Sequence, residues 1–178
     1  MKILKYILLL TTVFLTTNCS DDNMKPTDFK DKEPRLIIEN YLSGNTKAWG
    51  VLQNRSGKVI RQFSADLDGE WNGSELILNE KFIWNDGEIQ TRKWIINKID
   101  ENNYEGTASD VVGKAKGYSY GPAFKFEYVL LVPVKGKEMK ITFDDWIFKQ
   151  NEKVAINRAT MTKFGIKVAE LTVMFLKD

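Results

Sequence analysis

The chain has 178 residues, of which 26 are Lys or Arg and 24 are Asp or Glu, and it contains one cysteine and no histidine. This length suits one domain with a substantial core, and the near balance of charge argues against a nucleic-acid binder, which gathers basic residues on one face. The lack of histidine excludes His-dependent catalytic triads and the usual zinc sites, and one cysteine forms no intrachain disulfide. We therefore predict no metal site and no cofactor.

The first 18 residues have the organisation of a secretory signal. Lys2 and Lys5 form a basic start, and residues 6–15, YILLLTTVFL, are an uncharged and largely apolar run. An apolar run of about 7–15 residues after a basic start is typical of a signal peptide and is too short to span a bilayer. Residues 1–18 are predicted to be a lipoprotein signal peptide, and their removal takes away two basic residues and no acidic one.

The only cysteine, Cys19, follows this segment where bacterial lipoproteins are cleaved and acylated. Residues 15–19, LTTNC, resemble the lipobox of such proteins, although Thr16 and Asn18 depart from its usual residues. Two or three acyl chains give stable membrane anchoring and would consume the thiol. We expect Cys19 to be a lipidation site that binds the membrane; the alternative is a conventional secretory signal with an incidental cysteine.

Residues 19–35 are predicted to be a flexible tether. The segment contains Pro26 and Pro34 and the charge-dense stretch DFKDKE, residues 28–33, a composition that does not support a core. Its acidic pair Asp21-Asp22 resembles the surface-export signal of lipoproteins from the Bacteroidetes group, although a solvated tether would carry the same residues. The predicted localisation is the cell envelope, at the outer membrane, facing either the surface or the periplasm.

Residues 36–178 are predicted to form one all-β domain. Runs of β-branched and aromatic residues alternate with short turn clusters such as RSG, NDG, KGK and KFG, and no segment of helical length shows a 3.6-residue period. Short turns imply an antiparallel meander, which removes its exposed edges by closing into a lipocalin-like (calycin-type) barrel. We expect about nine or ten strands, with one range a bent continuation of another, near 36–42, 46–54, 57–67, 74–85, 88–98, 103–112, 115–120, 123–134, 138–149, 153–162 and 165–176.

The hairpin at WNDGE, residues 84–88, predicts the pairing of two charged residues. Gly87 fits the last position of a three-residue loop with a glycine bulge. This loop sets Glu80 opposite Arg92, on a face that otherwise carries apolar and aromatic side chains. The two charges are therefore predicted to point into the barrel.

A second hairpin places a carboxylate on the inner face. A two-residue turn at Lys135-Gly136 sets Tyr128 opposite Phe143 and Phe126 opposite Asp145. At the following turn, a two-residue loop would set Arg158 opposite Asp145, and a three-residue loop would set Asn157 there. Either residue would give Asp145 a partner.

Charged side chains inside an aromatic-lined barrel require partners, because an unpaired buried charge costs several kcal/mol. They are either ion pairs that fix strand register, or a polar anchor for the head group of a ligand, or an acid–base pair with raised pKa values. The glycine-punctuated segment 104–117 does not match a phosphate loop and adds Asp110 as a further inward candidate. The candidate ligand-binding residues are Glu80, Arg92, Asp110, Tyr128, Asp145, Asn157 and Arg158.

Several segments together resemble a family of bacterial lipoproteins classed as a domain of unknown function. They are GKVIRQF (57–63), LNEKFIWNDGEIQTRKW (78–94), YEGTASDVVGKAKGYSYGPAFKFEY (104–128), FDDWIF (143–148) and NRATMTKFGIKVAELTV (157–173). The resemblance implies a lipocalin-like barrel, and its association with genes for fatty-acyl modification implies a role near lipid. The signature positions of the family, which have no assigned roles, correspond to Glu80, Arg92, Asp110, Asp144, Asp145, Trp146, Asn157, Arg158 and Lys163.

The sequence thus favours a membrane-anchored binding protein for a fatty acid, lipid or other amphiphile, more than an enzyme. Two alternatives stay open. One is a structural or assembly lipoprotein with a filled core that contacts a protein partner through its outer surface. The other is a histidine-free isomerase or cyclase that uses Glu80 or Asp145 with Arg92.

Overall fold

The structure is a computed structural model that describes residues 23–134 and 136–178. The predicted signal peptide, Cys19, the acidic pair Asp21-Asp22 and Lys135 lie outside the described residues. Within the described part of the chain, no helix is long and apolar enough to cross a membrane.

Ten antiparallel strands form one closed barrel, in which each strand pairs with its sequence neighbours and β1 pairs with β10. The predicted all-β, lipocalin-like meander is therefore confirmed. The strands are β1 (Gly44–Asn54), β2 (Val59–Trp71), β3 (Glu75–Trp84), β4 (Ile89–Lys98), β5 (Asn103–Thr107), β6 (Ala115–Tyr120), β7 (Ala123–Val134), β8 (Lys137–Lys149), β9 (Val154–Lys163) and β10 (Ile166–Lys177).

The burial pattern of the strands follows the two-residue period that a barrel with a packed interior requires. In β2, for example, Phe63, Ala65 and Leu67 are buried, and the residues between them are exposed. Aromatic side chains fill much of the interior and mostly contact each other edge to face or tilted, as aromatic pairs prefer, while Tyr128 and Phe143 are stacked. Trp94, for example, lies with its ring centroid 5.1 Å from that of Phe126 and 5.3 Å from that of Tyr128.

A short helix closes one end of the barrel, where the sequence predicted a strand at 36–42. The helix α1 (Ile38–Leu42) buries Ile38, Tyr41 and Leu42 against the barrel core. The run LIIENYL was too short for its periodicity to distinguish a helix from a strand. We call the end that carries α1 the closed end and the opposite end the open end.

The buried Glu39 fastens α1 to the barrel wall. Its carboxylate accepts hydrogen bonds from Lys98 Nζ at 2.5 Å and from the Tyr104 hydroxyl at 2.9 Å. Burial alone would raise the pKa of Glu39, but these hydrogen bonds lower it overall. Helix α1 is therefore held to the barrel by hydrogen bonds of Glu39 as well as by apolar contacts.

Part of the segment expected to be a flexible tether, 19–35, packs on the barrel. Residues Pro26–Phe29 form a 3-10 helix, and the Phe29 ring lies 6.0 Å from Trp146 and 5.5 Å from Phe148. Trp146 points to the outer face of β8 and is buried there. The chain reaches the barrel at the closed end, where Leu36 N donates to Gly121 O.

Candidate functional site

The barrel encloses a cavity of about 300 Å³ that runs from α1 to the open end. Ile38 and Leu42 of α1 form its floor, and Trp84, Glu88 and Pro133 line it where β3, β4 and β7 meet the open end. Its walls carry the aromatic side chains of Phe63, Phe82, Trp84, Trp94, Phe124, Phe126, Tyr128, Phe143 and Phe175. A cavity of this size and character lies within the range of small-molecule sites.

Two of the predicted polar residues, Glu80 and Arg92, face each other inside this cavity. The three-residue loop at WNDGE forms as expected, with Trp84 N donating to Glu88 O and Gly87 N to Trp84 O, each at 2.9 Å. The predicted pairing of Glu80 with Arg92 is confirmed. Arg92 Nη1 lies 3.8 Å from Glu80 Oε2, and the two side chains are 14% and 13% exposed.

Asp110 is the close partner of Arg92. The guanidinium donates from Nε to both carboxylate oxygens, at 3.2 and 3.0 Å, and from Nη2 to Oδ2 at 2.8 Å. This forked geometry is the strong form of an Arg–carboxylate pair. Hairpin spacing predicts no register for Asp110, because this residue lies in the irregular segment between β5 and β6.

The Arg92–Asp110 pair spans a gap in the barrel wall. The ladder between β4 and β5 covers only Ile95–Lys98, so the open-end half of β4 is bordered by the segment 108–114. That segment is attached to β7, since Leu131 N donates to Asp110 O at 2.9 Å and Val112 N to Val129 O at 2.8 Å. The ion pair therefore joins β4 to the segment that closes the wall.

Asp145 is the centre of a second polar group. The predicted pairings of Phe126 with Asp145 and Tyr128 with Phe143 are confirmed. Tyr128 donates its hydroxyl proton to Asp145 Oδ2 at 2.9 Å, and Asn157 Nδ2 donates to Oδ1. Asn157 Nδ2 also donates to the Trp146 carbonyl at 3.1 Å, which fixes the orientation of the amide.

The register between β8 and β9 differs from both predicted alternatives. Asp145 is paired with Ala159, and Arg158 is paired with Trp146. Asn157 contacts Asp145 diagonally. Arg158 lies on the outer face, where its guanidinium donates to Glu170 Oε2 at 2.9 Å and its side chain is 64% exposed. The prediction that Arg158 faces the interior is therefore wrong.

Burial shifts the pKa values of the inner carboxyl groups upward. Burial raises the pKa of Glu80 to about 7; the Arg92 charge opposes this shift, and the charges of Asp145 and Asp110 add to it. Burial likewise raises the pKa of Asp145 to about 6, against hydrogen bonds from Asn157 and Tyr128. Burial also raises the pKa of Tyr128 well above its ordinary value, so its hydroxyl remains a donor. Near neutral pH, both carboxyl groups can therefore exchange protons.

The open end carries an arginine that sequence reasoning missed. Arg61 points inward from β2, lies 4.0 Å from the centre of the Trp84 ring and donates to Asp86 at 2.7 Å and to Glu88 at 2.9 Å. Arg61 is odd-numbered, like the inward-facing Phe63 of the same strand. This two-residue period could have predicted that Arg61 points inward. Arg61 and its carboxylate partners form a charged rim above the aromatic cavity.

The positions that the family resemblance singled out split between the two faces of the barrel wall. Glu80, Arg92, Asp110, Asp145 and Asn157 point inward or close the wall, whereas Arg158 points outward. Residues 13–177 match the family described as "Protein of unknown function (DUF3833)". The chain belongs to this family. Of the positions that the family resemblance singled out, Glu80, Arg92, Asp145 and Asn157 line the cavity together with Asp110.

Solved structures with a similar fold share little sequence with this DUF3833 protein. The S-type phycobiliprotein lyase CPES from Guillardia theta is 9% identical, with a TM-score of 0.61 over 79% of this chain and 90% of that chain. A protein of unknown function from the DUF3598 family of Nostoc punctiforme is 14% identical, with a TM-score of 0.61, over 83% of this chain and 51% of that chain. Among curated protein sequences none matches. At these identities the likeness establishes the fold alone.

Proposed function

We propose that this protein is a lipocalin-like binding protein that holds a lipid or another amphiphilic small molecule at the cell envelope. The observation that carries the proposal is the cavity of about 300 Å³, whose walls are aromatic and which also carries a few polar groups, among them Glu80, Arg92 and Asp145. An apolar ligand body would bury its surface against the aromatic walls, gaining roughly 25 cal/mol for each Å². The polar head would be oriented by the few convergent polar groups, as in other small-molecule sites.

The arrangement of the two ends supports binding through the open end. Helix α1 closes one end with buried apolar side chains, while the cavity reaches exposed residues such as Glu88 and Pro133 at the other. A ligand would therefore enter past Arg61 and Trp84. The presence of the cavity also weighs against a filled core, on which the structural or assembly alternative depends.

Anchoring at the envelope is the second part of the proposal. It rests on the apolar segment 6–15 and on Cys19 directly after a lipobox-like sequence. Because the first described residues lie against the closed end, an acyl anchor at Cys19 would leave the open end directed away from the point of attachment. Intact-mass measurement of the membrane-extracted protein tests this part, since an unacylated wild-type N-terminus would contradict it.

Binding is tested with the full chain purified from membranes. Native mass spectrometry should detect a co-purifying small molecule, and the delipidated protein should bind decanol with a change in the fluorescence of Trp84 and Trp94. Val132→Trp, which adds volume to a cavity-lining residue, should abolish the change. Thr142→Trp, on the exposed outer face of β8, is the matched control and should retain it. A wild-type protein that carries no ligand and binds no amphiphile would contradict the proposal.

A further inference from the structure

We propose that the head group of the ligand is a protonated amine, held between Glu80 and Asp145, and not a carboxylate. This inference rests on the proposed function, because it specifies the chemistry of the same site. At this site three carboxyl groups, those of Glu80, Asp110 and Asp145, share the cavity lining with the guanidinium of Arg92.

Arg92, the arginine that faces Glu80 in the cavity, is already engaged. Arg92 directs Nε and Nη2 to Asp110 and presents Nη1 to Glu80 at 3.8 Å. An incoming carboxylate would have to displace Asp110 and would also meet the charges of Glu80 and Asp145. Like charges in a poorly solvated site repel strongly. Among the described residues that line the cavity at this depth, no free cation is therefore available to an anionic head group.

The carboxyl groups of Glu80 and Asp145 instead offer more hydrogen-bond acceptor sites than the neighbouring donors fill. Glu80 Oε2 is buried and has no hydrogen-bond partner, which is rare in a folded protein and calls for an explanation. Asp145 accepts one hydrogen bond on each oxygen, from Tyr128 and from Asn157, whereas a carboxylate offers about four acceptor sites. An ammonium group supplies three donors and one positive charge, which is what the two carboxyl groups lack.

The surrounding rings suit an organic cation. Trp94 and Tyr128 both line the cavity beside these carboxyl groups, and their ring centroids are 5.3 Å apart. A cation within about 6 Å of an aromatic face is attracted by the ring quadrupole, more so when it is desolvated. A metal ion fits less well, since among the described residues no group of three or more metal-ligating side chains is assembled.

The test uses three probes with one chain length and different heads: decylamine, decanol and decanoate, each below its micelle concentration. Titration of the delipidated full chain at pH 8, followed by tryptophan fluorescence or calorimetry, should show decylamine binding at least tenfold more tightly than decanol, and decanoate more weakly than decanol. Because the amine binds the ionised carboxylates, its affinity should fall at least fivefold between pH 8 and pH 5. Decanoate should not show this fall.

Variants locate the head group. Glu80→Gln and Asp145→Asn should each weaken decylamine at least tenfold while changing decanol less than threefold, and the retained decanol binding shows that the variants are folded. Glu127→Gln is the matched control, because Glu127 lies on the outer face and pairs with Lys125. It should leave all three affinities unchanged.

Three results would overturn the inference. Decanoate binding as tightly as decylamine would show that the head need not be cationic, and the proposed binding function would still stand. Loss of decylamine binding in Glu88→Gln but not in Glu80→Gln would place the head at the open end. Failure of all three probes to bind would instead contradict the proposed function itself.

Discussion

Glu80 and Asp145 make the ligand-free protein less stable as the pH rises. Both carboxyl groups have a higher pKa in the folded chain, about 7 and about 6, than their ordinary values of 4.5 and 3.8. The folded state therefore binds their protons more tightly, so their stabilising contribution is complete below about pH 4 and is lost as the pH rises through 6 and 7. Each pKa unit corresponds to about 1.4 kcal/mol, which predicts a loss of a few kcal/mol between pH 5 and pH 8, measured by urea unfolding.

The variant Glu80→Gln should remove about two thirds of this dependence, because Glu80 titrates over about two of these pH units and Asp145 over about one. Glu39, whose pKa is lowered from 4.5, contributes its own pH dependence only at more acidic pH and does not obscure the result. Glu127→Gln should keep the wild-type slope. A wild-type free energy of unfolding that is flat or rises from pH 5 to pH 8 would show that the two carboxyl groups are solvated or paired.

At the scale of single residues, the sequence predicted correctly which side chains point into the barrel where a glycine determined the geometry of the turn. Gly87 sets the loop that pairs Glu80 with Arg92, and Gly136, with a φ of 76°, ends the turn that places Asp145 inside. The β8–β9 turn has no glycine. There Asn151 Oδ1 accepts from Lys153 N and Val154 N, which shifts the loop by one residue. In the register that results, Arg158 points outward. The spacing of residues in the sequence does not predict this register.

At the scale of elements, the closed end depends on the contact between α1 and β2. A Cβ at Gly69 would lie 1.8 Å from the Leu42 carbonyl oxygen and 2.8 Å from its carbon. These are backbone atoms that cannot rotate away, so Gly69→Ala should displace α1 and destabilise the fold by about 2–4 kcal/mol. Urea unfolding measures the loss. Ser64→Ala, at an exposed outer-face position of the same strand, should cost less than about 0.5 kcal/mol.

At the same scale, the segment 108–114 is held to β4 by the Arg92–Asp110 pair and to β7 by backbone hydrogen bonds. Asp110→Asn would weaken the charged fork to Arg92, so the segment should open more often, and trypsin should cut after the exposed Lys114 several times faster. The variant should also lower the pKa of Glu80, because the Asp110 charge contributes to raising it. Glu105→Gln, which removes only the exposed Lys114–Glu105 pair, provides the comparison. Equal cleavage of Asp110→Asn and wild type would show that the backbone contacts to β7 alone hold the segment.

At the scale of the whole molecule, the two ends of the barrel have different surfaces. Of the fourteen large apolar residues that are exposed in the described part of the chain, eight flank the β1–β2, β3–β4, β7–β8 and β9–β10 turns at the open end. They are Val59, Ile60, Ile83, Ile89, Val134, Phe164, Ile166 and Val168. Concentration of exposed apolar side chains at one place is typical of an interaction surface.

Phe164 is the most exposed of these residues and sits in an unfavourable backbone conformation. It is 92% exposed and has a φ of 52°, and with Gly165 it forms a two-residue turn at which Lys163 pairs with Ile166. Asn-Gly is the preferred sequence of such a turn, and a left-handed conformation costs a bulky residue roughly 1–2 kcal/mol. The fold alone would therefore favour asparagine over phenylalanine at this position.

Phe164→Asn should consequently raise the free energy of unfolding by about 1 kcal/mol, since asparagine adopts the left-handed conformation more readily. It should at the same time reduce the binding of a hydrophobic dye such as bis-ANS, because the open end loses its most exposed aromatic ring. Phe164→Leu separates the two effects: it keeps an apolar side chain and the unfavourable backbone, so dye binding should fall less and stability should not increase. If Phe164→Asn were less stable than the wild type, the ring would be stabilising the turn, for example through Lys163 Nζ, which lies 5.3 Å from its centre.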